Sequence, residues 1–208
     1  MIFWKRIIYL LVKNSMRKVV FDIETKNIFQ DVGSNNSVDL DISVVGLYDY
    51  ETNKFESFVE EEFEKMWPYF EKAETLITFN GNSFDIPLLN KYFLKSNRRD
   101  ISKIYSLDIF KEVKNTSGRW LKLDKIAEGT FGINKIGNGL EAVTWWRNGE
   151  VDKVRKYCLE DVKITKDVYE YAMKNKKLMF KEGQFTKEIK LETKHWEPVS
   201  EIKTKSLF

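Results

Sequence analysis

The sequence predicts an α/β fold: a mixed sheet containing an antiparallel hairpin, with helices on both faces. Three observations carry this. Lys18-Val-Val-Phe-Asp-Ile-Glu-Thr25 is a strand-like run of apolar residues, mostly β-branched or aromatic, with two acids at alternate positions. Residues 42–50 and 54–59 are two further strand-like runs, and Glu51-Thr52-Asn53 between them is a hairpin connection. Residues 60–73 and 151–174 have helical periodicity and are separated by more short strand-like runs.

In chain order, residues 1–15 contain an apolar run, Ile7 to Val12, that is far too short to span a bilayer. A basic residue precedes it, as in a signal peptide, but no small-residue cleavage site follows. The stretch reads as a loose N-terminal extension, with a peripheral membrane contact as the alternative. No integral membrane association is expected, and the location expected is cytoplasmic. Residues 16–178 make the main domain. After the first strand, residues 27–41 are polar and include Gly33, Ser34, Asn35 and Asn36, a loop composition. Residues 60–73 place Phe63, Met66, Trp67 and Phe70 on one side of a helix that Pro68 is expected to break or kink. Residues 76–79 are a short strand. Asn80-Gly81 marks a turn, and Ser83 stands where it can cap a helix running to Lys95.

Residues 105–109 are strand-like and hold Asp108, which reads more readily as a solvated acid than as a supporting one. Residues 121–131 suit a helix ended by Gly132, and residues 137–139 a turn. In residues 140–147, Trp145 and Trp146 fit core packing better than base stacking. Residues 151–174 form the strongest helix, with Val154, Cys158, Val162, Thr165, Val168 and Ala172 as its buried stripe. Residues 179–208 form a C-terminal appendage with a small hairpin across 180–184 and 185–191.

Composition narrows the chemistry. Hydrophobic residues make up 42% of the 208, with 15 Phe, 9 Tyr and 6 Trp, as in a packed globule. The net charge of +3 means that any phosphate-binding surface must be local. Cys158 and His195 are the single residues of their types. That excludes a disulfide framework, a Cys/His zinc site and the usual Ser-His or Cys-His catalytic pair. Metal chemistry would have to use carboxylates, which favours Mg²⁺ or Mn²⁺. No Walker-type glycine loop is present, so an NTPase site is not expected.

Carboxylates are what the informative positions supply. Strand side chains alternate faces, so Asp22 and Glu24 project to the same side while Val19, Phe21 and Ile23 enter a core. Two adjacent carboxylates on a largely buried strand repel one another, and a divalent cation between them removes that cost. A strand that ends in two solvated acids is the alternative. Asp85 falls in the first turn of its helix, where an acid is also electrostatically welcome without any function. Asp161 lies in the middle of the apolar stripe of residues 151–174, a poor choice for packing alone. Tyr157, four positions earlier, shares its face.

Asp22-x-Glu24, Asn80-x-x-x-Phe84-Asp85 and Tyr157-x-x-x-Asp161, in that order, resemble the three motifs of the DEDD 3′→5′ exonuclease superfamily, which has an RNase H-like fold. Phe79-Asn-Gly-Asn-Ser-Phe-Asp-Ile-Pro-Leu-Leu89 looks like the second motif of the proofreading domain of family B DNA polymerases. Tyr157, with Lys156 where a histidine would mark the other subgroup, is similar to the tyrosine subgroup. The resemblance covers roughly residues 17–172 and implies a stand-alone exonuclease or one that joins a replication, repair or helicase partner.

The resemblance also implies a mechanism. Asp22, Glu24, Asp85 and Asp161 would hold two divalent cations, Mg²⁺ or Mn²⁺, ~3.5–4 Å apart. Asp22 would bridge them, Glu24 and Asp161 would complete the site of the ion that carries the nucleophile, and Asp85 would support the other. Tyr157 would hold the attacking water, while Thr25, Asn80 and Phe84 would contact the terminal nucleotide. The substrate implied is the 3′ end of single-stranded nucleic acid, DNA rather than RNA. A non-cutting RNase H-like nucleic-acid-binding or scaffolding module is the alternative, and an endonuclease on the same scaffold is a third reading.

Overall fold

β1 (Lys18–Thr25) is the middle strand of a five-stranded mixed sheet. On one side it pairs antiparallel with β2 (Ile42–Asp49), which pairs antiparallel with β3 (Lys54–Phe58). On the other it pairs parallel with β4 (Thr75–Thr78), which pairs parallel with β5 (Tyr105–Asp108). The strand order is β3-β2-β1-β4-β5. The computed structural model describes residues 17–133 and 139–197. The extension read at 1–15, most of the turn read at 137–139 and the end of the C-terminal tail lie outside the described residues.

The alternation of β1 divides the core. Val19, Phe21 and Ile23 face one layer, where α2 (Phe63–Glu71) and α3 (Asp85–Lys95) bury Phe63, Met66, Phe70, Leu88, Leu89 and Phe93. Val20 faces the other, packed with Ile77 and Leu107 against α4 (Ile109–Ser117), α5 (Leu123–Phe131) and the long α7 (Val151–Asn175). Between α5 and α7, α6 (Gly139–Arg147) adds Ala142 to a small cluster with Val44, Val154, Tyr157 and Cys158. Trp145 and Trp146 are half-buried against that cluster, in line with the packing read for them. No helix among the described residues is long and apolar enough to cross a membrane.

The β2–β3 hairpin is organised by Asp49. Its buried carboxylate accepts hydrogen bonds from the amides of Glu51 and Thr52 and from the Thr52 hydroxyl, and pairs with Arg17 at 2.9 Å. A second hairpin, β6 (Lys177–Glu182) and β7 (Phe185–Lys190), follows α7. This segment, read from the sequence as an appendage, buries Leu178, Phe180, Ile189 and Leu191 in the core layer of α7, together with Trp196. A Cβ on Gly129 of α5 would lie 2.4 Å from Cα of Phe180, so the hairpin backbone rests directly on that helix.

Four local expectations are corrected. Pro68 does not break its element: α2 runs through it, because a ring in mid-helix costs one hydrogen bond while four large side chains bury on the same face. Ser83 does not cap α3; its hydroxyl donates to the side-chain and main-chain oxygens of Asn80, tying the preceding loop together. The polar segment 27–41 contains one helical turn, α1 (Phe29–Val32), and a 3₁₀ turn at Ser37–Asp39. Residues 110–117, given no element by the sequence, belong with Ile109 to α4, because Asp108 supplies a side-chain N-cap to Lys111.

The seat of α7 positions the site. Gly46 of β2 lies directly opposite Asp22 of β1. A Cβ there would meet Sγ of Cys158 at 2.8 Å and Cγ2 of Val162 at 3.2 Å. The missing side chain lets α7 approach the sheet closely enough for its acid to reach those of β1. Gly46→Ala should therefore destabilise the fold by about 1–3 kcal/mol, the usual range for overpacking. Adding Cys158→Ala to that variant should recover part of the loss. Thermal denaturation of the single and double variants checks this; equal stability of Gly46→Ala and wild type would mean that the helix is not held at this contact.

Candidate functional site

Asp22 and Glu24 leave β1 on the face that α7 covers, as strand alternation requires. Tyr157 and Asp161 leave α7 one turn apart, toward the same place. Donor oxygens of Asp22, Glu24 and Asp161 all lie within 4.8 Å of one another, close enough to share one cation. Glu24 and Asp161 are buried, and Asp22 is half-buried. The pairing register of β1 shifts between Glu24 and Thr25. Such an irregularity re-aims side chains where a strand ends.

Asp85, the first residue of α3, is 4% exposed and lines the same cleft. Burial pushes its carboxyl up to about 7, opposed by hydrogen bonds from its own amide and that of Ile23, and reinforced by the charges of Asp108 and Asp161. Cys158 stands beside these acids, its Sγ 3.4 Å from the Asp22 carbonyl oxygen. Burial, with Asp22, Glu24 and Asp161 nearby, raises its thiol well above the ordinary value. The sulfur is therefore a neutral neighbour and not a thiolate ligand. A set of carboxylates with no histidine or thiolate suits a hard divalent cation, and the residues present fit one.

Asp108 is the residue that the sequence placed least well. It is 6% exposed, not solvated. Its Oδ1 accepts from the amide of Asn80 at 2.8 Å and from that of Lys111 at 3.3 Å, and its Oδ2 accepts from the amide of Asn82 at 3.1 Å. One carboxylate thus ties the loop ahead of Asp85 to the start of α4. Asn80 in that loop has φ 71°, a left-handed conformation that asparagine tolerates better than most residues. The only sequence signal for this role was an acid at a strand end followed by helical residues, the pattern of an N-cap.

A cleft of about 770 Å³ opens over these groups. Its lining includes every residue selected from the sequence: Asp22, Glu24, Asp85, Tyr157 and Asp161, together with Thr25, Asn80 and Phe84. Thr25 donates its hydroxyl to the Asn27 carbonyl at 2.8 Å, and Phe84 meets Phe29 edge-on at 6.2 Å. Tyr157 meets Trp145 edge-on at 5.8 Å, which orients the phenol ring. Lys122 and Phe79 also line the cleft and were not selected, since a lysine before a helix and a phenylalanine ending a strand carry no distinctive spacing.

The model of the RNase H superfamily matches residues 19–173. The structure of the family B DNA polymerase from the hyperthermophilic archaeon Pyrobaculum calidifontis is similar to this chain, with a TM-score of 0.60 at 16% identity. The likeness covers 76% of this chain and 25% of the polymerase chain, so the chain spans about a quarter of that protein's length, and at this identity it is a likeness of fold. No curated protein matches the chain. The family match begins in β1 and ends in α7, the two elements that carry Asp22, Glu24 and Asp161, and the chain belongs to the RNase H superfamily.

Proposed function

We propose that this protein is a metal-dependent 3′→5′ exonuclease, hydrolysing phosphodiester bonds from the 3′ end of single-stranded nucleic acid. The observation that carries the reading is the meeting of Asp22, Glu24 and Asp161 within 4.8 Å in a cleft also lined by Asp85 and Tyr157. Asp22, Glu24 and Asp161 would hold one divalent cation, Mg²⁺ or Mn²⁺, and Asp85 would support a second. Bound there, such ions activate water and stabilise the charge that develops on the scissile phosphate. Tyr157 donates a hydrogen bond that orients the attacking water. Thr25, Asn80 and Phe84 hold the terminal nucleotide, and Asp108 fixes the loop on which Asn80 and Asp85 stand. The likeness to a DNA polymerase supports DNA over RNA as substrate.

A cleft that must receive a chain end favours a frayed terminus, because unpairing bases costs a few kcal/mol. The test is a 5′-labelled single-stranded oligonucleotide, DNA or RNA, incubated with Mg²⁺, Mn²⁺ or EDTA. A descending ladder that EDTA abolishes is expected. Efficient cutting of a circular single strand, or release of the label as a mononucleotide at the outset, would overturn the polarity or the reaction class.

Asp22→Ala and Asp161→Ala should each leave a folded protein with activity near background. Wild-type rates in either variant would remove the carboxylate cage from the mechanism. Tyr157→Phe should slow turnover roughly 10- to 1000-fold, the range for losing one positioned hydrogen bond, with Mn²⁺ affinity barely changed. Collapse of metal affinity in that variant would make the tyrosine structural.

The raised carboxyl of Asp85 gives a pH signature. Its folded value of about 7 lies above the ordinary 3.8, so the metal-free fold holds this proton more tightly than the unfolded chain does. In EDTA, the contribution of Asp85 to stability is present at low pH and is lost as pH rises from about 4 to about 7. A cation binds the ionised form, so Mn²⁺ should raise the Tm more at pH 8 than at pH 5. Asp85→Asn should flatten the decline seen in EDTA. An equal Mn²⁺ effect at both pH values would show that this carboxyl does not titrate against the metal.

A further inference from the structure

From the geometry of the surface beside the cleft we infer a stacking track for single-stranded nucleic acid, formed by Phe79, Phe110 and Trp120 with Lys114 and Lys122. The inference rests on the exonuclease reading, since that reading supplies the strand that enters the cleft. Phe79 and Lys122 line the cleft itself. The Phe79 ring lies 5.6 Å from that of Phe110, and the Phe110 ring 5.3 Å from that of Trp120. The first pair meets edge-on and the second tilted, so the three rings touch and form one aromatic strip that begins in the cleft lining and ends at the exposed indole.

Trp120 is 70% exposed, although an indole is among the costliest side chains to leave in water. Its contacts with Phe110 and Lys114 leave most of its surface in solvent. Lys114 holds its ammonium 3.3 Å from the centre of the indole ring, a cation–π contact that covers part of one face of the ring and sets a positive charge beside it. Lys122, exposed in the same inter-helix segment as the indole, lines the cleft that holds the carboxylates. Alternating rings and cations along a path into a cleft are what sequence-independent binding of a single strand requires, since every base has a π face. The track also answers an electrostatic problem: four acids repel the phosphates that must reach them, so attraction has to come from cations and rings outside the acid cluster.

The experiment is binding of fluorescein-labelled (dT)12 and (dT)2, read by anisotropy in Mg²⁺ with Asp161→Ala as the background to prevent turnover. Adding Trp120→Ala should weaken (dT)12 roughly 10-fold or more, the scale of one lost base–aromatic stack, and should weaken (dT)2 much less. Trp120→Phe should restore most of the affinity, and Lys114→Ala should lower the salt dependence of (dT)12 binding. Matching circular dichroism melts of the variants establish that all are folded. Unchanged (dT)12 affinity in Trp120→Ala would overturn the track. Unchanged affinity together with loss of a self-association seen by sedimentation would overturn it in favour of a protein contact. Binding is read without turnover, so a wild-type protein that needs Trp120 for (dT)12 but releases no nucleotide would support the track and sink the exonuclease reading.

Discussion

The mutual repulsion of Asp22, Glu24, Asp85 and Asp161 is the constraint that the rest of the structure has to satisfy. Carboxylates gathered in a partly desolvated cleft oppose folding, and the carboxyl of Asp85, raised first by burial and then by the charges of Asp108 and Asp161, records that cost. The acids stay together because each is fixed by a different rigid element. β1 is buried on both faces and paired on both edges, so Asp22 and Glu24 cannot move apart. Asp85 opens a helix whose buried face carries Ile86, Leu88, Leu89, Tyr92 and Phe93. Asp161 sits in a 25-residue helix with ten buried positions. Apolar burial on this scale outweighs the repulsion of four acids, and a bound cation would offset what remains.

Two small features convert that scaffold into a site. Gly46 removes one side chain opposite Asp22, and α7 settles into the space. Asp108 accepts three amides and so holds the loop ahead of Asp85 at the ends of the parallel strands. In open α/β sheets, ligands bind beyond the carboxyl ends of the strands. β1, β4 and β5 run in parallel, and the groups that follow them – Asp22 and Glu24, the loop to Asp85, and Asp108 – gather along that one edge.

Much of this was legible in the sequence because it follows from period. Alternation in residues 18–25 placed Asp22 and Glu24 together, and the 3.6-residue wheel placed Asp161 and Tyr157 among buried positions of α7. The mixed sheet, the β2–β3 hairpin and the two helical layers followed from the same patterns. What escaped notice depends on contacts distant in sequence. The buried state of Asp108 is set by amides 26 and 28 residues away, which no local pattern encodes. Pro68 was misjudged because a local rule about one lost hydrogen bond was weighed without the burial of Phe63, Met66, Trp67 and Phe70. The track through Phe110 and Trp120 is equally invisible, since its rings come from a strand end, a helix and a loop.

The choice between a cutting and a merely binding module turns on the acids themselves. A protein that only holds nucleic acid profits from cations in its groove, because neutralising phosphates releases counterions. Four carboxylates lining the cleft act against that attraction, and burying them costs folding energy as well. Structural substitutes were available at little cost: a hydrophobic residue at position 161 would extend the stripe of α7, and an asparagine at position 85 would avoid an ionised buried carboxyl. Oxygen donors within 4.8 Å of one another have chemical value where a divalent cation is to be held, and a cation beside a phosphodiester is worth holding for the charge that develops during hydrolysis. On the proposed reading, the rings and lysines outside the cluster would supply the binding that the carboxylates cannot. Attraction from rings and cations and a cluster of acids in the cleft would then be complementary halves of one arrangement, the combination that the proposed catalysis requires.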